Sequence, residues 1–293
     1  MRMMKGILRT LSALLIAAVL CFAVSTYAVH EDGEEIVSFL NLRITVTGAG
    51  AAVSFLVFLL FSFLWLAETP GQPENGTHRQ KRLNAAGFGF FPAAAVWKIF
   101  EQHIWLSRGK SIFEPLPEIP YLTSEGFFAP SRIEFVLSLL CFAVLVAWLA
   151  TRKADFPWNG DLLLTVVCTW GMLRVLTEEF RLYPLMAAGR VNIMQILMMA
   201  AADICLLVWT LRSDESMQKS TAFAVLEWIV VLSCETVIIL NSAGVLTAGS
   251  MIGDLAVNTG CVILCLLLML FSGKDSREAS DVISGSDSPA YYS

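Results

Sequence analysis

Apolar runs of about twenty residues recur along this chain, and each is long enough to cross the roughly 30 Å hydrocarbon core of a bilayer as an α-helix. Water is absent there, so the backbone must satisfy its own hydrogen bonds, and a helix does so within one segment. The charge content agrees: 15% of the 293 residues are charged and 56% are hydrophobic, against about 25% charged in an average soluble domain. In water such a chain would expose more apolar surface than its few charges could keep soluble. The sequence therefore predicts an all-α, polytopic transmembrane helix bundle with about seven or eight membrane segments, one of them broken or re-entrant. The net charge of −5 sits largely in tails and loops. No basic stripe with interleaved aromatics is present, so no nucleic acid partner is expected.

The first residues are basic (Arg2, Lys5, Arg9) and lead into an apolar run. Residues 1–29 read as a signal-anchor helix or a signal peptide. Thr26-Tyr27-Ala28 weakly resembles a cleavage site, but the run is long for a signal peptide and favours the anchor. Further spans are expected at 46–66, 133–150, 161–178, 192–211, 222–240 and 251–271. Between the first two of these, 85–104 contains Gly87, Gly89 and Pro92 and ends in charges, a composition that suits a broken or re-entrant helix buried by its neighbours. A proline-rich outer loop covers 105–131. The tail 273–293 is rich in Ser, Asp and Gly and is expected to be disordered. Placing the basic loop ends (Arg79, Lys81, Arg82, Arg152, Lys153, Arg212, Lys219, Lys274, Arg277) in the cytoplasm threads the chain eight times with both termini inside.

All seven cysteines lie in apolar runs, without a C-x-x-C pair, and the three histidines lie outside the long spans. Ligand supply for a metal is poor, so neither a metal nor another cofactor is expected, and cysteine serves as a small apolar residue.

Ionisable groups inside the hydrocarbon cost about 2.5–3.5 kcal/mol each on insertion scales and so mark sites worth testing. The densest group is Arg174, Glu178 and Arg181, at i, i+4 and i+7 on one helical face. Two guanidinium forks flanking a carboxylate suit the phosphate of an anionic lipid headgroup; an ion pair anchoring the helix end is the plainer alternative. Asn192 is placed to cap the next helix, and Gln195 to reach the depth of Arg174 and Glu178. A separate set of acids, Asp203, Glu227 and Glu235, would suit an ion-coupled transporter if they converged near mid-membrane.

The run Gly171-x-x-Arg174-x-x-x-Glu178-x-Phe180-Arg181, followed by Val191-Asn192-Ile193-Met194-Gln195-Ile196-Leu197, resembles the bacterial prolipoprotein diacylglyceryl transferase family. Pro130-Ser131-Arg132-Ile133-Glu134-Phe135 falls where that family has a His-Pro-Thr-Gln-Leu-Tyr-Glu motif. Lys98 falls where the family has the arginine of a Gly-Arg-Ile-Gly-Asn signature. The resemblance covers roughly residues 46–212, and its specific part is 171–197. It implies an enzyme of the bacterial cytoplasmic membrane that moves diacylglyceryl from phosphatidylglycerol to a lipoprotein cysteine. Prolipoprotein signal peptides would then be partners alongside the lipid. Arg174 and Glu178 would be catalytic, and Arg181, Gln195 and Lys98 substrate-binding.

The chain also departs from that pattern. It has no His-Gly-Gly near 45–50, Lys98-Ile99-Phe100 replaces the Arg-Gly-Asn signature, and Ala129 replaces the motif histidine. Thiol alkylation needs a base or a strongly polarised phosphate, so a non-catalytic lipid-binding or scaffold relative stands beside the enzyme. On this reading, residues 30–212 form a transferase-like membrane core and 213–272 add two transmembrane helices.

Overall fold

The computed structural model describes residues 2–30, 35–39, 42–68, 78–102, 109–110, 120–124, 126–151, 161–182, 187–188, 191–213 and 221–286. Outside them lie the acidic stretch 31–34, most of the polar loop after 68, residues 103–108 and 111–119 of the proline-rich outer loop, and Arg152, Lys153, Arg190 and Lys219. Eight helices are present among the described residues. Six are long and apolar enough to cross a membrane, and the chain is a multi-pass helical membrane protein. It forms two compact units: Met1–Lys153 with Phe180–Tyr183, and Ala154–Glu179 with Pro184–Ser293. The division falls inside the 30–212 segment drawn from the sequence.

The first unit comprises α1 (Arg2–His30), a hairpin of β1 (Glu35–Phe39) and β2 (Leu42–Thr45), α2 (Val46–Glu68), α3 (His78–Glu101), a hairpin of β3 (Thr123–Ser124) and β4 (Phe127–Phe128), and α4 (Pro130–Thr151). Thr45 caps α2: its hydroxyl accepts a hydrogen bond from Gly48 N at 3.1 Å, which satisfies one of the helix's first N–H groups. Pro130 opens α4, where a missing N–H costs nothing.

α3 runs without interruption through Gly87, Gly89 and Pro92, where the composition predicted a break. The glycines serve packing instead. A Cβ at Gly89 would lie 2.6 Å from Phe58 O and 2.5 Å from Ser62 Oγ, so its absence lets α2 and α3 approach closely. Gly50 on α2 gives way in the same manner to the Phe100 ring of α3. Aromatic packing joins α4 to this pair: Phe142 meets Phe61 edge-on with ring centroids 5.5 Å apart, and Phe88 at the same separation.

The second unit comprises α5 (Asp161–Glu178), a short hairpin of β5 (Ala187–Ala188) and β6 (Val191–Asn192), α6 (Ile193–Ser213), α7 (Thr221–Ser242) and α8 (Met251–Ser286). Its core is apolar and rich in sulfur, built from Met172 and Val175 of α5, Met199, Leu206 and Trp209 of α6, Val231 and Ile238 of α7, and Cys265 and Met269 of α8. Gly171 again permits a close approach, since a Cβ there would sit 2.9 Å from Met198 O. Large apolar side chains such as Phe63, Val144, Ile204, Ile229 and Leu267 point outward. Exposed apolar side chains on helices of this length are what lipid, acting as solvent, permits.

Two expectations change. α5 carries Asp161, Arg174 and Glu178 within 18 residues and is not among the six apolar spans. α8 continues to Ser286, so most of the tail expected to be disordered is helical; residues 287–293 lie outside the described set. Extending an established helix costs far less than nucleating one, and Lys274 through Ala279 contain several good helix formers.

Candidate functional site

The first unit gathers four ionisable side chains where α3 ends and α4 begins. Lys98 and Glu101 stand three apart in the last turn of α3 and pair with each other. Glu134, in the second turn of α4, pairs with Lys98 as well. Arg181, beyond the end of α5, places Nη2 2.8 Å from Glu101 Oε1 and 3.4 Å from Glu134 Oε1. Each carboxylate therefore touches both cations. All four groups are deeply buried: Lys98 is 5%, Glu101 4%, Glu134 0% and Arg181 2% exposed. An ion in such surroundings is tolerable only when paired and hydrogen-bonded, and this arrangement pairs each one twice.

Backbone contacts hold Arg181 in that position. Gly109 and Arg181 form an antiparallel bridge, and Lys110 N donates to Phe180 O at 2.8 Å. Phe128 N donates in turn to Lys110 O at 2.9 Å, and the Phe128 and Phe180 rings lie 5.0 Å apart. Only glycine fits at 109, where a Cβ would fall 2.0 Å from Phe128 O. The short segment Phe180-Arg181 is thus stitched onto the ends of α3 and α4.

The second unit holds the other candidates. Arg174 Nη2 lies 3.6 Å from Glu178 Oε2, one turn further along α5, and both residues are buried. Thr177 Oγ1 donates to the Arg174 carbonyl at 3.2 Å. At the end of α5, Glu179 N donates to Leu176 O at 3.2 Å. Gln195 meets the end of α5: its Nε2 donates to Val175 O at 3.1 Å and to Glu179 Oε1 at 2.6 Å. The same carboxylate oxygen accepts from Ser242 on α7. Asn192 caps α6 as its position implies, with Oδ1 accepting from Met194 N at 3.1 Å and Gln195 N at 3.4 Å. At the same end of α7, Asn241 donates to Asn258 Oδ1 and to Asp254 O, each at 3.0 Å, which fastens α8 to α7.

The five site candidates thus fall into two sets. Lys98 and Arg181 meet in the first unit; Arg174, Glu178 and Gln195 cluster at the end of α5 in the second. Because α5 stops at Glu178, Arg181 does not share a helical face with Arg174 and Glu178, as the i, i+4, i+7 spacing suggested. Glu101 and Glu134 were visible in the sequence as charges in or beside apolar runs, but nothing there marked them as partners of Lys98 and Arg181. Among the transporter candidates, Asp203 of α6 and Glu235 of α7 lie near each other, and Glu227 stands two turns before Glu235 on α7.

Comparison of the chain with family models, curated proteins and solved structures finds no match.

Proposed function

We propose that this chain binds the headgroup phosphate of an anionic membrane phospholipid, phosphatidylglycerol being the first to test, as a diverged relative of the prolipoprotein diacylglyceryl transferases. The observation that carries the reading is the burial of Lys98 and Arg181 together at the ends of two apolar helices. Cations so placed are costly to keep in a membrane protein, and each is by default a candidate functional group. The guanidinium of Arg181 would take two phosphate oxygens through its fork, and the Lys98 ammonium a third as a point charge. Arg174 with Glu178 forms the second, already oriented pair, in which the carboxylate fixes the direction of the fork. In the transferase reading these two would serve the transfer of diacylglyceryl to a lipoprotein cysteine.

Two measurements test this. Native mass spectrometry of the purified protein titrated with phosphatidylglycerol should show retained lipid, with Arg181→Met reducing retention. A protein that binds phosphatidylglycerol no better than phosphatidylcholine sinks the headgroup reading. Expression in a bacterium depleted of its diacylglyceryl transferase separates enzyme from binding protein. Rescue that Arg174→Ala abolishes assigns transfer, whereas lipid retention without rescue assigns the non-catalytic, lipid-binding form.

A further inference from the structure

The cations proposed to meet a phosphate are already engaged. Lys98 and Arg181 each pair with both Glu101 and Glu134, and Arg181 and Glu134 are almost wholly enclosed. A carboxylate presents two oxygens to a guanidinium much as a phosphate does. A headgroup therefore reaches these cations only by taking the place of one carboxylate, and it meets the other as a like charge. We infer that Glu101 and Glu134 are internal competitors for the headgroup phosphate, an autoinhibitory contact that sets how tightly and how selectively the site takes an anionic lipid. This rests on the headgroup reading above and adds to it the residues that oppose binding.

The arrangement has a consequence that a purely structural role lacks. Replacing either carboxylate by its neutral amide keeps the shape and removes the competitor, so affinity for an anionic headgroup should rise. A structural brace would lose binding, or leave it unchanged, on the same substitution. The displacement also has a local witness. Arg181 is held by its bridge to Gly109, next to the Lys110 N to Phe180 O hydrogen bond. A lipid that draws the guanidinium away from Glu101 and Glu134 should loosen that bond.

Wild type, Glu101→Gln and Glu134→Gln are titrated with phosphatidylglycerol and with phosphatidylcholine, and retained lipid is read by native mass spectrometry. Either substitution should raise phosphatidylglycerol retention by about tenfold or more, since a like charge set against another at an interface disfavours binding strongly, with phosphatidylcholine little changed. Amide exchange at Lys110 of the wild-type protein should rise on saturation with phosphatidylglycerol. That second measurement needs no variant and decides the matter if neither substituted protein folds. Retention by the wild type with no gain in the folded variants, or with Lys110 exchange unchanged, overturns the competitor role and leaves headgroup binding standing. No retention by wild type or variants removes both.

Discussion

Arg181 Nη2 lies 2.8 Å from Glu101 and 3.4 Å from Glu134, so one guanidinium joins the last residue of α3 to the second turn of α4. Lys98 closes the figure by pairing with the same two carboxylates. The stability of this ring comes from its completeness, because each member would be an uncompensated buried ion without the others.

Arg181→Met should therefore be severe. It leaves two buried carboxylates sharing one ammonium, and breaking a buried pair from one side costs about 3–5 kcal/mol. Arg181→Lys should recover only part of this, since an ammonium lacks the planar fork that reaches two carboxylates at once. Equilibrium unfolding in detergent measures both. A loss below about 1 kcal/mol in Arg181→Met, the range of exposed pairs, would show that the ring is not closed in the folded protein.

The ring also makes its members non-additive. Lys98→Met alone strands negative charge, and Glu134→Gln alone leaves an excess of positive charge. Together they remove one ion of each sign and leave Arg181 with Glu101. The double variant should be more stable than the sum of the two single losses by about 0.5–3 kcal/mol, the usual range for groups in one network. A double-mutant cycle that sums to zero would mean the two residues do not interact.

Gly89→Val places a branched side chain where even a Cβ would lie within 2.6 Å of Phe58 O. α2 and α3 must separate or shift, an overpacking cost of about 1–3 kcal/mol. The same change at Gly260, where a Cβ would meet nothing within 4 Å, should cost nothing and gain about 0.3 kcal/mol, since valine is the better helix former of the two. Equal losses at the two sites would dissociate the glycine of α3 from helix packing.

That glycine illustrates what could be read from the sequence and what could not. The lengths of the apolar runs gave the helices, because helical rise and bilayer thickness are fixed quantities. Their composition misled: Gly87, Gly89 and Pro92 read as a break, and only the neighbouring helix shows that a glycine there serves a close approach. The site divides the same way. Asn192 acts over two and three residues, within reach of a sequence rule, and caps α6 as its position implied. Arg181 acts on partners 80 and 47 residues away in sequence, where helical spacing says nothing, and the end of α5 at Glu178 removed it from the face on which spacing had placed it.

Gln195 is the residue whose role the geometry sharpens most. Both contacts of its amide nitrogen are internal, to Val175 O and to Glu179 Oε1, which leaves its oxygen as the group with which it could meet a ligand. Gln195→Ala exposes an uncapped carbonyl and takes a donor from Glu179, a loss of about 1–3 kcal/mol for buried groups left unsatisfied. Gln195→Glu should cost more, because it removes the same donors and sets a second carboxylate beside Glu179. Thermal unfolding of the two variants at neutral pH gives the order. If Gln195→Glu proves the more stable, the amide is not the cap of α5.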